Sequence, residues 1–223
     1  GQWHMFYLGT PNVSPPPNLV PSFPYLTMKA KGTGPAGPWI KQKDVVPFRT
    51  KPDTYYSITA SPGQVIQHGD EYLQFFSATT RKPGNPCVQR TLGIARTKNL
   101  DGPWTVDPQP MVPIEEQIEN SSLHYEESTK TWFLFTNHIG IDRGEYTDAV
   151  WVYWSKDPNR WDPKNKAVVL DGDHPGAPPG ESAGHDGGEV GVEPLQDPFV
   201  DLAVAPGALV RQRAAHQDQV GHA

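Results

Sequence analysis

The chain has 223 residues, room for one domain of ordinary size, with a formal charge of −6 at neutral pH and a pI near 5.7. That balance argues against a nucleic-acid surface, which needs clustered Lys and Arg, and no run approaches the roughly 18 consecutive apolar residues of a membrane span. Cys87 is the single cysteine, so no internal disulfide and no thiolate zinc site can form; it reads as a loop thiol beside the breaker-rich run 81–86.

Taken from the front, no charged stretch leads into an apolar core. The sequence reads as cut at its start or already processed, which would make it periplasmic or secreted if a leader had been removed. The first predicted strand is Trp3-His4-Met5-Phe6-Tyr7-Leu8, followed by a second over 25–30 and then Gly37-Pro38-Trp39. The same design returns as Glu71-Tyr72-Leu73-Gln74-Phe75-Phe76-Ser77, a strand over 91–97 and Gly102-Pro103-Trp104. It returns again as Thr131-Trp132-Phe133-Leu134-Phe135-Thr136, a strand over 149–155 and Trp161. Trp39, Trp104 and Trp161 are 65 and 57 residues apart. Short aromatic and β-branched runs bounded by Gly, Pro, Asn and Asp are antiparallel strand signals. A unit of this length, repeated, predicts an all-β propeller whose blades bury one another's aromatic faces.

Composition changes near Leu170. All seven tryptophans precede it, whereas residues 171–223 hold Phe199 as their only aromatic, with nine of the 21 glycines and four of the eight histidines. The expected organisation is a propeller domain over 1–170 and a poorly structured Gly/Pro/Ala/His-rich tail over 171–223, either a natural flexible tail or out-of-frame sequence. One run, 202–212, suggests a helical turn or two.

The wording of the repeat carries a resemblance. Leu92-Gly93-Ile94-Ala95-Arg96-Thr97-Lys98-Asn99-Leu100-Asp101-Gly102-Pro103-Trp104 resembles the "A-x-S-x-d-l-x-G-P-W" strand and turn of the five-bladed glycosidases of glycoside hydrolase families 43, 32 and 117. Ala60-Ser61-Pro62-Gly63-Gln64-Val65-Ile66, followed by 69–77, is similar to their "A-P-x-V … g-x-Y-Y-L-f-y-S" second blade. The resemblance covers residues 1–170 and implies a central funnel where three acidic groups meet. A first-blade aspartate is base or nucleophile, a second-blade aspartate orients, and a third-blade glutamate is the general acid.

Carried over by residue, Glu119 in Ile118-Glu119-Asn120-Ser121-Ser122-Leu123 stands where the general acid belongs, its alternative being a solvated loop carboxylate among Glu115 and Glu116. The second-blade aspartate has no counterpart, because Ser61-Pro62-Gly63 replaces "A-P-D". The first-blade aspartate would lie ahead of Trp3. About three of five blades are readable, so the propeller is expected to be incomplete, with open blade faces favouring homo-oligomers or low stability.

Further candidates follow from residue type. His138 is a sugar ligand or proton-transfer group, or a structural histidine. Asp148 is an inward carboxylate or a strand-entry residue. Arg90, with Ser61 and Ser121, is a candidate for substrate binding, Arg90 through its fork of donors. Trp39, Trp104 and Trp161 read as packing aromatics. The tail histidines with Asp171, Asp173 and Asp186 match no ligand spacing, so neither a metal nor a cofactor is expected.

Three functions compete. The first is a glycoside hydrolase working by paired carboxylates on an oligo- or polysaccharide. The second is a non-catalytic carbohydrate-binding or scaffold propeller. The third is an esterase using Ser61, Ser121 or Ser122 with His124 or His138, although no G-x-S-x-G elbow is present. The expected partner is a carbohydrate, with no nucleic acid and no membrane.

Overall fold

The computed structural model describes residues 1–11, 23–43, 46–84, 87–142, 145–171 and 208–211. The described residues are almost wholly β-structure and contain no α-helix able to cross a membrane. Three blades follow in chain order. The first is β1 (Trp3–Gly9), β2 (Tyr25–Gly32) and β3 (Trp39–Lys41), a meander. The second is β4 (Thr59–Ser61), β5 (Val65–His68), β6 (Glu71–Thr80), β7 (Gln89–Thr97) and β8 (Thr105–Val106). Strands β4 and β5 pair with successive stretches of β6, so together they act as one inner strand interrupted at Pro62-Gly63-Gln64. The third is β9 (Ile118–Glu126), β10 (Thr131–Asp142), β11 (Glu145–Ser155) and β12 (Lys166–Asp171), a four-stranded antiparallel sheet.

A short parallel pairing of Tyr25 with Thr59 and Leu26 with Ala60 joins blades one and two into one nine-stranded sheet. The ninth member is β13 (Ala208–Arg211), antiparallel on β1. The helical turn expected over 202–212 is therefore corrected at 208–211: these four residues are a strand, because pairing to β1 supplies backbone partners that a short isolated helix would lack. The remainder of the tail, with all its histidines, lies outside the described residues.

Side-chain alternation builds the core. Successive residues of a strand point to opposite faces, so Phe75 and Phe76, both fully buried, serve two different interfaces. Phe75 joins Leu73, Leu92 and Ile94 against Ile118, Leu134, Tyr153 and Trp161 of blade three. Phe76 packs with Phe48, Tyr55, Tyr56 and Ala78, and Trp104 links that group to Phe6 of blade one, edge to face at 5.4 Å. Covered on both faces, β6 is buried at every position from Tyr72 to Thr79. Trp104 and Trp161 are thus packing residues. The turns Gly37-Pro38-Trp39 and Gly102-Pro103-Trp104 repeat one geometry, with glycine φ of 89° and 93°, values a side chain would resist.

Packing is exhausted at the outer strand of blade three. Val168, Val169 and Leu170 on β12 are 56%, 46% and 58% exposed, an apolar strip on a sheet edge.

A charged cluster sits between blades one and two. Lys29, fully buried in β2, donates to the carbonyl of Leu100 and to the carboxylate of Asp101, and Lys31 donates to the same carboxylate at 2.7 Å. Burial pulls the Lys29 ammonium below its ordinary range in spite of Asp101. For Asp101, burial works upward but is outweighed by the lysine hydrogen bonds, leaving the carboxyl below its usual range. The two partners do not both gain, so this pair is weak evidence of stabilisation, although breaking it would strand a buried charge. His4 is also fully buried, and among the described residues neither ring nitrogen has a hydrogen-bond partner. Burial first, and then Lys29, lower its pKa to about 4, against a smaller opposing pull from Asp101.

The sign of the pH dependence follows. An unfolded histidine binds its proton near pH 6.5 and folded His4 only near 4, so stability is complete above about 6.5 and falls as pH drops towards 4. The loss is expected to approach roughly 3 kcal/mol at the bottom of that window. Urea unfolding at pH 7.5 and 4.5 measures it, and His4→Leu should flatten the difference.

Candidate functional site

The site grows from the entry of β9. A 3-10 turn over Ile114–Glu116 ends at Gln117, which is left-handed at φ 46°, and Asn120 is left-handed at φ 59°. Asparagine tolerates that region better than most residues, whereas glutamine is uncommon there and must be held. Gln117 is held on three sides. Its side-chain oxygen accepts from the Arg90 amide at 3.3 Å, its side-chain amide donates to the carbonyl of Ile114 at 2.8 Å, and its own carbonyl accepts from Ile139. The Asn120 amide donates to Ser77 Oγ at 2.8 Å.

Glu119 lies between these two residues. Thr136 Oγ1 donates to its backbone carbonyl at 2.7 Å, and its carboxylate meets Arg90, Oε2 to Nε at 3.2 Å. The Arg90 side chain is 6% exposed and that of Glu119 is 24% exposed. Arg90 is the second residue of β7 in blade two and Glu119 the second of β9 in blade three, so the ion pair crosses the blade junction.

Beside it runs a polar seam. Gln64 reads the backbone of Leu123 like a ladder partner, accepting from its amide at 2.6 Å and donating to its carbonyl at 3.2 Å. Ser121 donates to the Phe75 carbonyl at 2.8 Å and accepts from the Gln64 amide at 3.3 Å. Ser61 stands opposite Ser77 in register, and Ser77 in turn receives the Asn120 amide. Gly63 closes the seam: a Cβ there would lie 1.5 Å from the Phe75 carbonyl oxygen and 2.6 Å from Ser121 Oγ. No side chain fits, so position 63 is structurally barred to the second-blade aspartate that the resemblance implies.

His138 stands opposite Ile118, one position on from Asn137, the partner of Glu119. Its Nδ1–H donates to the Glu116 carbonyl at 2.8 Å, and its ring stacks on Trp151 at 3.8 Å and 6°. Asp148 stands opposite Ile139 by backbone register, and its side chain lies outside the described residues. Arg90, Glu119, Ser61 and Ser121 are thus gathered along the junction of blades two and three, with His138 on the adjoining part of blade three.

Glu116 is the residue that sequence reasoning missed. Instead of a solvated loop carboxylate it is 16% exposed, accepts the Tyr153 hydroxyl at 2.6 Å and pairs with Lys166. Lys166 also lies over Trp151, 4.3 Å from the ring centroid. Burial, followed by the Glu116 contact, pushes the Tyr153 phenol upward. The partners come from 37 and 50 residues away, so no local pattern could have marked it. Glu115 is 72% exposed, as expected of a loop carboxylate. Among the described residues, no group of three or more His, Cys, Asp or Glu is placed to hold a metal ion.

No protein-family model matches the sequence, and no curated protein is similar to it. Solved structures are. A glycoside hydrolase family 32 β-fructofuranosidase from Bombyx mori is similar over 78% of this chain and 34% of its own, at 16% identity and a TM-score of 0.57. A variant of that enzyme in complex with sucrose gives a TM-score of 0.55 at the same identity and coverage. An endo-arabinase from Bacteroides thetaiotaomicron is similar over 66% of this chain and 48% of its own, at 16% identity and a TM-score of 0.50. The chain spans about a third to a half of the length of these structures. The likeness shows the fold, a β-propeller of the kind used by glycosidases.

The Gly63 contact generates a stability test. Gly63→Ala places its methyl against a backbone carbonyl and should cost upwards of about 3 kcal/mol, whereas Gly34→Ala, whose Cβ would meet only the Gly37 carbonyl oxygen at an ordinary 4.0 Å, should stay within about 0.5 kcal/mol. Thermal melts of the two variants make the comparison.

Proposed function

We propose that this chain carries part of a glycoside-hydrolase site, with Glu119 as the general acid, Arg90 as its positioning partner and a carbohydrate as substrate. The observation that supports this reading is the placement of Glu119. It is a partly exposed carboxylate near the start of the inner strand of blade three, with the peptide group that follows it held at both its carbonyl and its amide, in a fold similar to that of sugar-cleaving enzymes. In such a step the Glu119 proton passes to the departing glycosidic oxygen as the anomeric bond breaks. A second carboxylate then activates the water that adds to the sugar. Asp148 is the candidate for that second group.

Arg90 holds the Glu119 carboxylate at 3.2 Å, and a guanidinium is a donor group suited to a substrate hydroxyl or carboxylate as well. His138, held by Trp151 and the Glu116 carbonyl, keeps Nδ1–H engaged and is suited to a sugar contact through its other nitrogen.

Gly63 favours a second reading, a propeller that binds carbohydrate without cleaving it, since one of the three implied acids is sterically barred. The esterase reading is weaker. The Ser121 proton is directed at the Phe75 carbonyl rather than at a histidine, and His124 is 66% exposed.

Glycosides with activated and unactivated leaving groups, assayed alongside aryl esters, separate the readings. Glu119→Gln should lower turnover of unactivated glycosides by about 100-fold or more and of activated aryl glycosides by less than about 10-fold, because a good leaving group needs little protonation. Equal losses on both would remove Glu119 from the acid role. Sugar binding by calorimetry without turnover on any substrate would put the binding reading first.

A further inference from the structure

We propose that the outer edge of β12 is a self-association surface, on which Lys166–Asp171 of a second copy of this chain pairs antiparallel, so that two third blades form one continuous sheet. This proposal is independent of the role of Glu119.

The outermost strand is where a propeller blade exposes backbone, because neighbouring blades stack on its faces and leave that strand with one edge unpaired. Short strands blunt this edge in blades one and two, where β3 has three residues and β8 has two. Blade three departs from the pattern. Its outer strand has six residues, Lys-Ala-Val-Val-Leu-Asp, and among the described residues it pairs with β11 alone. Val168 stands opposite Trp151, on the face that packs against blade two, and is still 56% exposed. Its exposure therefore does not depend on what covers the other face.

The segment is complementary to itself. Trp151 stands opposite Val168 and Val150 opposite Leu170, so Val169 is a bulge residue and β12 carries one residue more than its partner. Lys166 and Asp171 then fall opposite Tyr153 and Ala149, on the face of Trp151, whereas Ala167 and Leu170 fall on the other face. A twofold axis at Val168 sets Lys166 against Asp171 of the second copy at both ends, Ala167 against Leu170, and Val168 against its own counterpart. Every pair shares a face, both ends join opposite charges and the centre is apolar, which is what an isologous contact requires. Without the extra residue, Lys166 and Asp171 would stand on opposite faces and the charges could not meet. A bulge commonly turns an edge away from partners; this one brings the two charges onto one face. Lys166 is 32% exposed beside Glu116, and an ammonium has three hydrogens to donate, so a second carboxylate can be accommodated.

A contact of six residues a side buries less than the roughly 1,200 Å2 of a stable interface, so the dimer should dissociate on dilution. Sedimentation of the full chain between about 5 and 500 μM should show a reversible monomer–dimer equilibrium. Val168→Lys sets two ammonium groups face to face at the axis and should weaken dimerisation at least about 10-fold while leaving the thermal melt of the monomer unchanged. A monomer at every concentration, or a dimer that Val168→Lys leaves equally tight, would overturn the proposal. A second measurement reads the register. In a Cys87→Ser background, Val168→Cys should oxidise to a disulfide-linked dimer at least about 10-fold faster than Ala167→Cys, because only a residue at the axis meets its own counterpart within disulfide reach. Equal rates for the two variants would overturn the pairing as well.

Discussion

Everything in this structure depends on β6 being covered on both faces. Phe75 and Phe76 are adjacent in sequence and fully buried, yet they belong to different interfaces, because a strand sends neighbouring side chains in opposite directions. At roughly 25 cal/mol per Å2 of apolar surface, two buried phenylalanines supply several kcal/mol to two junctions at once. Blade two is therefore the keystone, and blades one and three are held mainly by what they bury against it. The edge-to-face contacts of Phe6 with Trp104 and of Phe75 with Trp161 give those junctions geometric definition beyond area alone.

Apolar packing sets the distance between blades two and three, but polar contacts set their register. Gln64 pairs with the backbone of Leu123 at both its amide and its carbonyl, and Ser121 bridges the Phe75 carbonyl and the Gln64 amide. These bonds require the inner strands to approach so closely that Gly63 has no room for a Cβ. The same closeness delivers Glu119 to Arg90. Structure and candidate chemistry are coupled here: the approach that excludes a carboxylate from position 63 is the one that fixes the carboxylate at 119.

The charged groups follow one logic on both sides of the keystone. Between blades one and two, Lys29, Lys31 and Asp101 meet over the buried ring of His4; between blades two and three, Arg90 meets Glu119, and Arg96 forks onto Asp107 and reaches Asn159. Pairs of this kind add little net stability when their desolvation is counted, but they penalise misaligned blades by leaving a buried charge unmatched. They act as alignment devices on interfaces whose attraction is non-directional.

The sequence by itself determined the repeat. The three aromatic strands, the Gly-Pro-Trp turns and the spacing of Trp39, Trp104 and Trp161 are local signals, because period-two alternation and glycine at positive φ act within a few residues. It also offered Glu119 as a candidate, and showed the departure at Ser61-Pro62-Gly63. The tertiary structure alone decided why that departure exists, since the obstructing carbonyl belongs to Phe75. It alone showed that Glu116 is embedded among Tyr153 and Lys166 rather than solvated, and that Gln64 binds a strand 59 residues away. Ala208–Arg211 is the clearest case. Four residues in a tail without strand patterning suggested a helical turn, and are a strand antiparallel to β1. A sheet edge is satisfied by backbone groups, which every residue but proline carries in full, so side-chain patterns far along the chain could not announce it.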